Sequence, residues 1–346
     1  MILSKNKVQK LDPDNLLSDF IREEKLSELL IIVPTNRKIR YLKREIVSQS
    51  PKKSASKINL HTFETFTSQI FQKTGSGSAG LLSDASAAVL LNKSFKETEL
   101  KYFSNYKDEI PRGTLDRIKN VITEYKLNGI ASNTILSESN KLEGSEKLKA
   151  IDIANVYKNY LSACKDLKAY EVGDIYSEVL SYDKKDFESK FKSSFGDVNT
   201  IVINGFDEFT QPEIEIINQT ASISEIKLFV LFDYYRYNPA LFSHLDQCYE
   251  KFKVKGFVEV EDSSHIQFND YQKRIRERLF LLNDSDSPES SEIEISTITA
   301  LSPEEEIRLI AKEIKILITE KNIDVGSITV VFNLISDHSS IIRDYY

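Results

Sequence analysis

Five consecutive apolar residues, Leu29-Leu30-Ile31-Ile32-Val33, end abruptly at Pro34. A run this short and this continuous is the pattern of a strand buried on both faces, which occurs where helices cover both sides of a parallel sheet. The residues that follow agree with that setting. Asn36 is placed to cap a helix that carries Arg37, Arg40 and Arg44, with Ile39, Leu42 and Ile46 on its apolar side. A second short strand over 57–60 leads into His61-Thr62-Phe63 and a helix over 66–72. The same alternation returns later, with a strand over 200–204, a helix over 212–221 that has Pro212 in its first turn, a strand over 226–232 and a helix over 239–252. Strands alternating with helices imply βαβ units and an α/β fold.

Between the two stretches the period changes. Residues 84–197 read as amphipathic helices over 81–95, 111–125, 147–167 and 172–180, an all-α insertion. Gly75-Ser76-Gly77-Ser78-Ala79-Gly80 is a flexible break that resembles a phosphate loop in composition alone, because neither a preceding strand nor a following Gly-Lys-Ser/Thr accompanies it. Residues 283–292 form a polar, acidic linker. Beyond it, a strand over 293–300, a helix over 303–321 capped by Ser302, a strand over 328–332 and a helix from Asp337 open another α/β unit. Two strands are too few to close a core, so the natural protein is expected to continue past Tyr346. The expected organisation is therefore 1–83, the insertion 84–197, 198–282, the linker 283–292, and 293–346.

Net charge is −7, yet the charge is uneven. Residues 1–80 carry 14 Lys/Arg against 8 Asp/Glu, and the span from Arg37 to Lys57 holds eight cations and one acid, Glu45. A basic segment on an acidic chain fits either a phosphate footprint or a solvated helix face. No apolar run reaches the length of a membrane helix and no signal peptide is visible, so a cytoplasmic protein without membrane contact is expected. Cys164 and Cys248 are far apart and form no metal-binding spacing; two reduced thiols are expected. The four histidines are scattered, no Gly-x-Ser-x-Gly elbow occurs, and Glu250 and Glu277 lie in helical segments unsuited to a nuclease hairpin.

The segment Ile31 to Lys38 resembles the Thr-Asn-Lys/Arg strand–turn–helix of superfamily 1 helicases, and Leu60 to Phe66 resembles the motif that follows it there. Tyr170 to Tyr176 is similar to a third segment of such proteins. Val202-Ile203-Asn204-Gly205-Phe206-Asp207-Glu208-Phe209-Thr210-Gln211-Pro212-Glu213 resembles the Asp-Gly-Phe-x-x-Phe-Thr-Pro-x-Glu pattern of AddB/RexB helicase–nuclease subunits, as do Asp233 and the run Asn238-Pro239-Ala240-Leu241-Phe242. Residues 304–318 and 328–331 resemble the opening of a second RecA-like lobe.

The resemblance implies a RecA-like parallel-sheet lobe with an all-α insertion and the truncated start of a second RecA-like lobe. It implies a DNA-repair protein working with an active AddA-like helicase subunit, and single-stranded DNA contacted by Thr35, Asn36, Arg37, Lys38, Thr62 and Phe63. A hydroxyl, an amide and helix N-terminal amides suit a phosphate, and an aromatic ring suits base stacking. The family's PD-(D/E)xK nuclease, its metal and its cluster-binding cysteines are expected beyond residue 346, so this chain itself is expected to hold no cofactor and no catalytic residue.

Three departures bear on ATP. A phosphate loop needs glycines and a terminal Gly-Lys-Ser/Thr ahead of Ile31, but no glycine occurs before Gly75. The strand over 200–204 runs into Asn204-Gly205 where a helicase has its acidic pair; Asn lacks the formal charge magnesium prefers, and Gly has no side chain. Asp207 and Glu208 come later and are expected in a turn capping the next helix. Arg236 stands near where a γ-phosphate glutamine is expected.

Overall fold

The computed structural model describes all residues except 7, 9, 73–79, 108, 264–269, 282–295, 333 and 346. It divides into two compact units, Met1–Leu282 and Asn283–Tyr346. The first unit begins with β1 (Ile2–Ser4), β2 (Lys10–Leu11) and α1 (Pro13–Arg22), then β3 (Leu29–Ile32), α2 (Asn36–Gln49), β4 (Asn59–His61) and α3 (Phe63–Gln72). The insertion follows with β5 (Gly80–Leu81), α4 (Asp84–Glu97), α5 (Arg112–Leu127), α6 (Ser132–Ser139), α7 (Gly144–Asp166), β6 (Ala169–Tyr170), α8 (Val172–Ser181) and α9 (Lys184–Phe195). The unit ends with β7 (Thr200–Asn204), α10 (Gln211–Ala221), β8 (Lys227–Leu231), α11 (Pro239–Phe242), α12 (Asp246–Val254), β9 (Val258–Asp262) and α13 (Asp270–Arg278).

The main sheet has the order β2-β9-β1-β8-β7-β3-β4. Strands β4, β3, β7 and β8 run parallel, as the alternating sequence pattern requires. Because successive side chains point to opposite faces and both faces are covered, β3 is apolar throughout and β7 is apolar over Ile201, Val202 and Ile203. Leu30, Ile32, Ile201 and Ile203 face a core built with α3, α8, α9, α10 and α12, whereas Leu29, Ile31, Val33 and Val202 face α1 and α2 through Ile21, Ile39 and Ile46. The first of these cores is rich in rings. Phe66 is 1% exposed and touches Phe63, Phe191 and Phe195.

The insertion has its own core, in which Leu91 and Phe95 of α4 meet Ile118 and Ile122 of α5 and Tyr157 and Tyr160 of α7. Helices α6 and α9 are additions to the sequence reading. The i, i+4, i+8 residues Phe187, Phe191 and Phe195 of α9 pack into the sheet's core, as do Ile175 and Val179 of α8. The short parallel pair β5–β6 ties the start of the insertion to the segment between α7 and α8.

Several expectations are corrected. The sheet is not wholly parallel: β1 pairs antiparallel with both β8 and β9. The cap of α2 is Thr35, not Asn36; Thr35 has extended backbone and its Oγ1 accepts the Lys38 N–H at 3.3 Å. The single helix over 239–252 is instead α11, a 3₁₀ turn over Ser243–Leu245, and α12. The glycine-rich break lies outside the described residues apart from Gly80, as does the 283–292 linker. The second unit contains α14 (Pro303–Thr319), capped by Ser302 through Glu305 N–H, and α15 (Ile335–Tyr345). The described residues 296–300 and 328–332 form no strand; a strand exists through its ladder, and no neighbour pairs with these segments.

Candidate functional site

The parallel register brings the C-terminal ends of β4, β3 and β7 side by side, with Ile32 opposite both His61 and Ile203. From each strand end the chain turns into a helix with a threonine cap. Thr35 caps α2 as described. Thr62 and Thr65 cap α3 reciprocally, Thr65 N–H donating to Thr62 Oγ1 at 3.2 Å and Thr62 N–H donating to Thr65 Oγ1 at 2.9 Å. At α10, the Thr210 N–H donates to Glu213 Oε2 at 2.9 Å in a capping box. The hydroxyl caps of α2 and α3 are each worth about 1 kcal/mol. Three helix N-termini thus gather at one sheet edge, the edge where open α/β sheets hold ligands.

A recess of about 510 Å³ opens there. Pro34, Thr35, Asn36, Thr62 and the start of α3 form one side, and Tyr176, Phe206 and Glu213 the other. Four of the six expected contact residues, Thr35, Asn36, Thr62 and Phe63, therefore share a wall. Arg37 and Lys38 do not line it; they are exposed on the first turn of α2, with Lys38 Nζ 5.0 Å from the Tyr41 ring. Phe63 needs a correction. Its ring is 3% exposed and packed against Phe66 and Tyr176, so no free face is left for a base. The apolar pattern that starts α3 demanded burial of that position.

The ring better placed is Phe206, half-buried, lining the recess and stacked at 5.0 Å on Phe209. Its signal in the sequence is the glycine before it. Gly205 has φ +85°, a backbone conformation that residues with a Cβ rarely adopt, so glycine allows the chain to turn sharply after β7. Asp207 and Glu208 lie exposed in the turn between β7 and α10, as expected, and the N-cap of that helix is Thr210. Arg236 is held by Glu259 at 3.1 Å.

The electrostatics of the recess are acidic. Glu64 and Glu213 line it, and among the described residues no cation does. Burial holds the Glu213 carboxyl above its usual range, opposed by hydrogen bonds from Thr210 and Tyr176. At the end of β4, burial and the nearby Lys43 charge lower the His61 pKa below 6.5, and the ring meets Phe195 edge-on at 5.5 Å. A lowered folded-state pKa gives stability that is present above 6.5 and lost as pH falls through the folded value. His61→Phe should therefore flatten the acid side of the stability profile. Urea midpoints compared at neutral and mildly acidic pH check this; an identical decline in both proteins would refute it.

The direction of β1 governs the nucleotide question. A phosphate loop follows a strand at the C-terminal edge of the parallel sheet. Because β1 runs antiparallel, the chain leaves it at the opposite edge, where Asn6 Nδ2 donates to Ile226 O at 2.9 Å and Asn6 Oδ1 accepts Leu228 N–H at 3.0 Å. It regains the strand-end edge only as β2, beyond β9. These residues do not fit the triphosphate and magnesium of a helicase. Among the described residues no group of three or more His, Cys, Asp or Glu is arranged to hold a metal ion, and no helix is long and apolar enough to cross a membrane. Cys164 and Cys248 are free and buried.

The family model described as ADDB, N-terminal matches residues 15–255, about seven-tenths of the chain. No curated protein matches it.

Proposed function

The chain belongs to the AddB N-terminal family, and on that premise we propose that it is a RecA-like, ATPase-inactive portion of a DNA-repair helicase–nuclease. It guides single-stranded DNA across its strand-end edge toward a PD-(D/E)xK nuclease and docks an active AddA-like motor subunit, in the cytoplasm. The observation that carries this reading is the convergence of Thr35, Asn36, Thr62 and Phe206 on one recess at the sheet edge. ATPase inactivity is supported by the antiparallel β1, the absence of glycine before Gly75, and Asn204-Gly205 at the end of β7.

Phe206 is the stacking platform in this reading, and Thr35 and Asn36 supply polar contacts beside it. Phe206→Ala should weaken single-stranded DNA binding by about 1–3 kcal/mol, the usual value of one aromatic–base stack. Fluorescence anisotropy with a labelled oligonucleotide measures it. Absence of salt-sensitive binding by the wild type would overturn the reading, as would unchanged affinity in both Phe206→Ala and Asn36→Ala. The carboxylates Glu64 and Glu213 favour a second reading, a protein-interaction scaffold without DNA affinity. That alternative predicts motor-subunit binding with no retention of DNA.

A further inference from the structure

The outer face of α2 carries a feature that the recess does not explain. Arg37, Arg40 and Arg44 sit at helical spacings of three and four, together with Tyr41, opposite the buried Ile39 and Ile46. All four are exposed, Tyr41 to 59%. No carboxylate among the described residues forms an ion pair with any of these arginines or with the flanking Lys43, which is unusual on a chain of net charge −7. The single acid of the helix, Glu45, is half-buried and accepts a hydrogen bond from Gln49 at 3.3 Å. Among the other cations of the same basic segment, Lys52 faces Glu24 at 3.9 Å, Lys57 faces Asp197 at 3.6 Å, Lys53 donates to Ser48 O at 2.6 Å, and Lys38 lies 5.0 Å from the Tyr41 ring. The three arginines of the segment therefore share one ridge of one helix.

That ridge starts beside the recess, at Arg37, and its arginines extend about 10 Å along the helix axis. The recess holds two carboxylates and, among the described residues, no cation, so it repels phosphates, while the ridge attracts them. Guanidinium groups are planar, always charged and suited to bidentate phosphate contact. The geometry points to the Arg37–Arg40–Arg44 face of α2 as a track for the phosphodiester backbone of a single DNA strand leaving the recess. This inference rests on the single-strand reading of the recess and adds a separate surface to it. Tyr41 offers a base an exposed ring along the same track.

The track has a quantitative signature. Each phosphate neutralised on a single strand contributes about 0.7 to the slope of log affinity against log salt. Arg40→Gln/Arg44→Gln in the full 346-residue chain should reduce that slope by about 1.4. Between about 50 and about 200 mM salt, wild-type binding of a short oligothymidylate should fall about sevenfold further than binding by the double variant. Lys93→Gln/Lys96→Gln, on α4 of the insertion, removes equal charge and should leave the slope unchanged.

A wild-type slope in the Arg40/Arg44 variant, with Phe206→Ala still weakening binding, overturns the track and leaves the recess reading intact. Equal slope changes in both lysine and arginine variants overturn it too, because net charge alone would explain them. Failure of the wild type to bind DNA removes both. Displacement of the oligonucleotide by polyglutamate of matched charge, equally well in wild type and variant, overturns the assignment in favour of an acidic protein segment.

Discussion

Lys126→Met is expected to lower the stability of the first unit by about 3–5 kcal/mol, the usual cost of stripping one partner from a buried ion pair. Lys126 lies on α5 with its side chain 2% exposed, and its Nζ is 2.6 Å from Glu171 Oε2 and 2.8 Å from Asp174 Oδ2. The ammonium also lies 4.6 Å from the centre of the Tyr160 ring. Burial pulls the Lys126 pKa down, but the two carboxylates outweigh it and the net shift is upward. Methionine keeps most of the aliphatic stem, so packing changes little and the lost charge dominates. Two carboxylates, 15% and 16% exposed, are then left facing each other without a cation. Their repulsion and desolvation make the deficit large at neutral pH and smaller once acid protonates them. Urea unfolding at pH values above and below the carboxylate range tests this. A deficit under about 1 kcal/mol, or one that acid leaves unchanged, would contradict the prediction.

Gly173→Ala should cost about 3 kcal/mol at the same junction for a different reason. Gly173 sits in the first turn of α8 against the backbone of α5. A Cβ placed there would lie 2.6 Å from Lys126 C and Cβ and 2.8 Å from Lys126 O. Alanine is the better helix former by about 1 kcal/mol, which opposes the clash. The clash wins because backbone atoms cannot rotate aside, so α5 and α8 must separate and the Lys126 ion pairs lengthen. Thermal unfolding of the variant should begin at lower temperature than wild type. A variant as stable as wild type would show that the two helices can part freely. The consequence reaches the candidate site, since α8 also carries Tyr176, whose hydroxyl donates to Glu213 Oε1 at 3.4 Å on the wall of the recess.

Much of the sheet is readable from local pattern. The apolar runs at 29–33 and 200–204 correspond to β3 and β7, and the helices on either side follow within a few residues, because burial on both faces leaves no polar alternation. Thr210 and Glu213 are three apart and form the capping box that such spacing allows. Other elements depend on partners remote in sequence. Ile2–Ser4 is three residues long and becomes a strand only because β8 and β9 flank it. Val258–Asp262 alternates but is mostly exposed, which weakens its signal. Residues 328–332 are apolar enough for a strand yet form none, for want of a neighbour among the described residues. At the site, Thr35, Asn36 and Thr62 are expected from the resemblance of their short segments, and the parallel pairing of β3 with β4 is what brings them together. The glycine before Phe206 marks a turn there, but only packing shows that the Phe63 ring is enclosed while Phe206 stays half-buried at the recess.

The sequence by itself determined that strands and helices alternate, that cations cluster between Arg37 and Lys57, and that no glycine precedes Gly75. These are properties of residue type and spacing, which survive without knowledge of neighbours. The tertiary structure alone decided the direction of β1, the burial of Phe63, the acidic lining of the recess and the arginine ridge of α2, which meets no carboxylate among the described residues. Each of those depends on which distant residue stands opposite. A ladder can form in either direction and an ion pair with any nearby carboxylate, so only the folded chain selects among them.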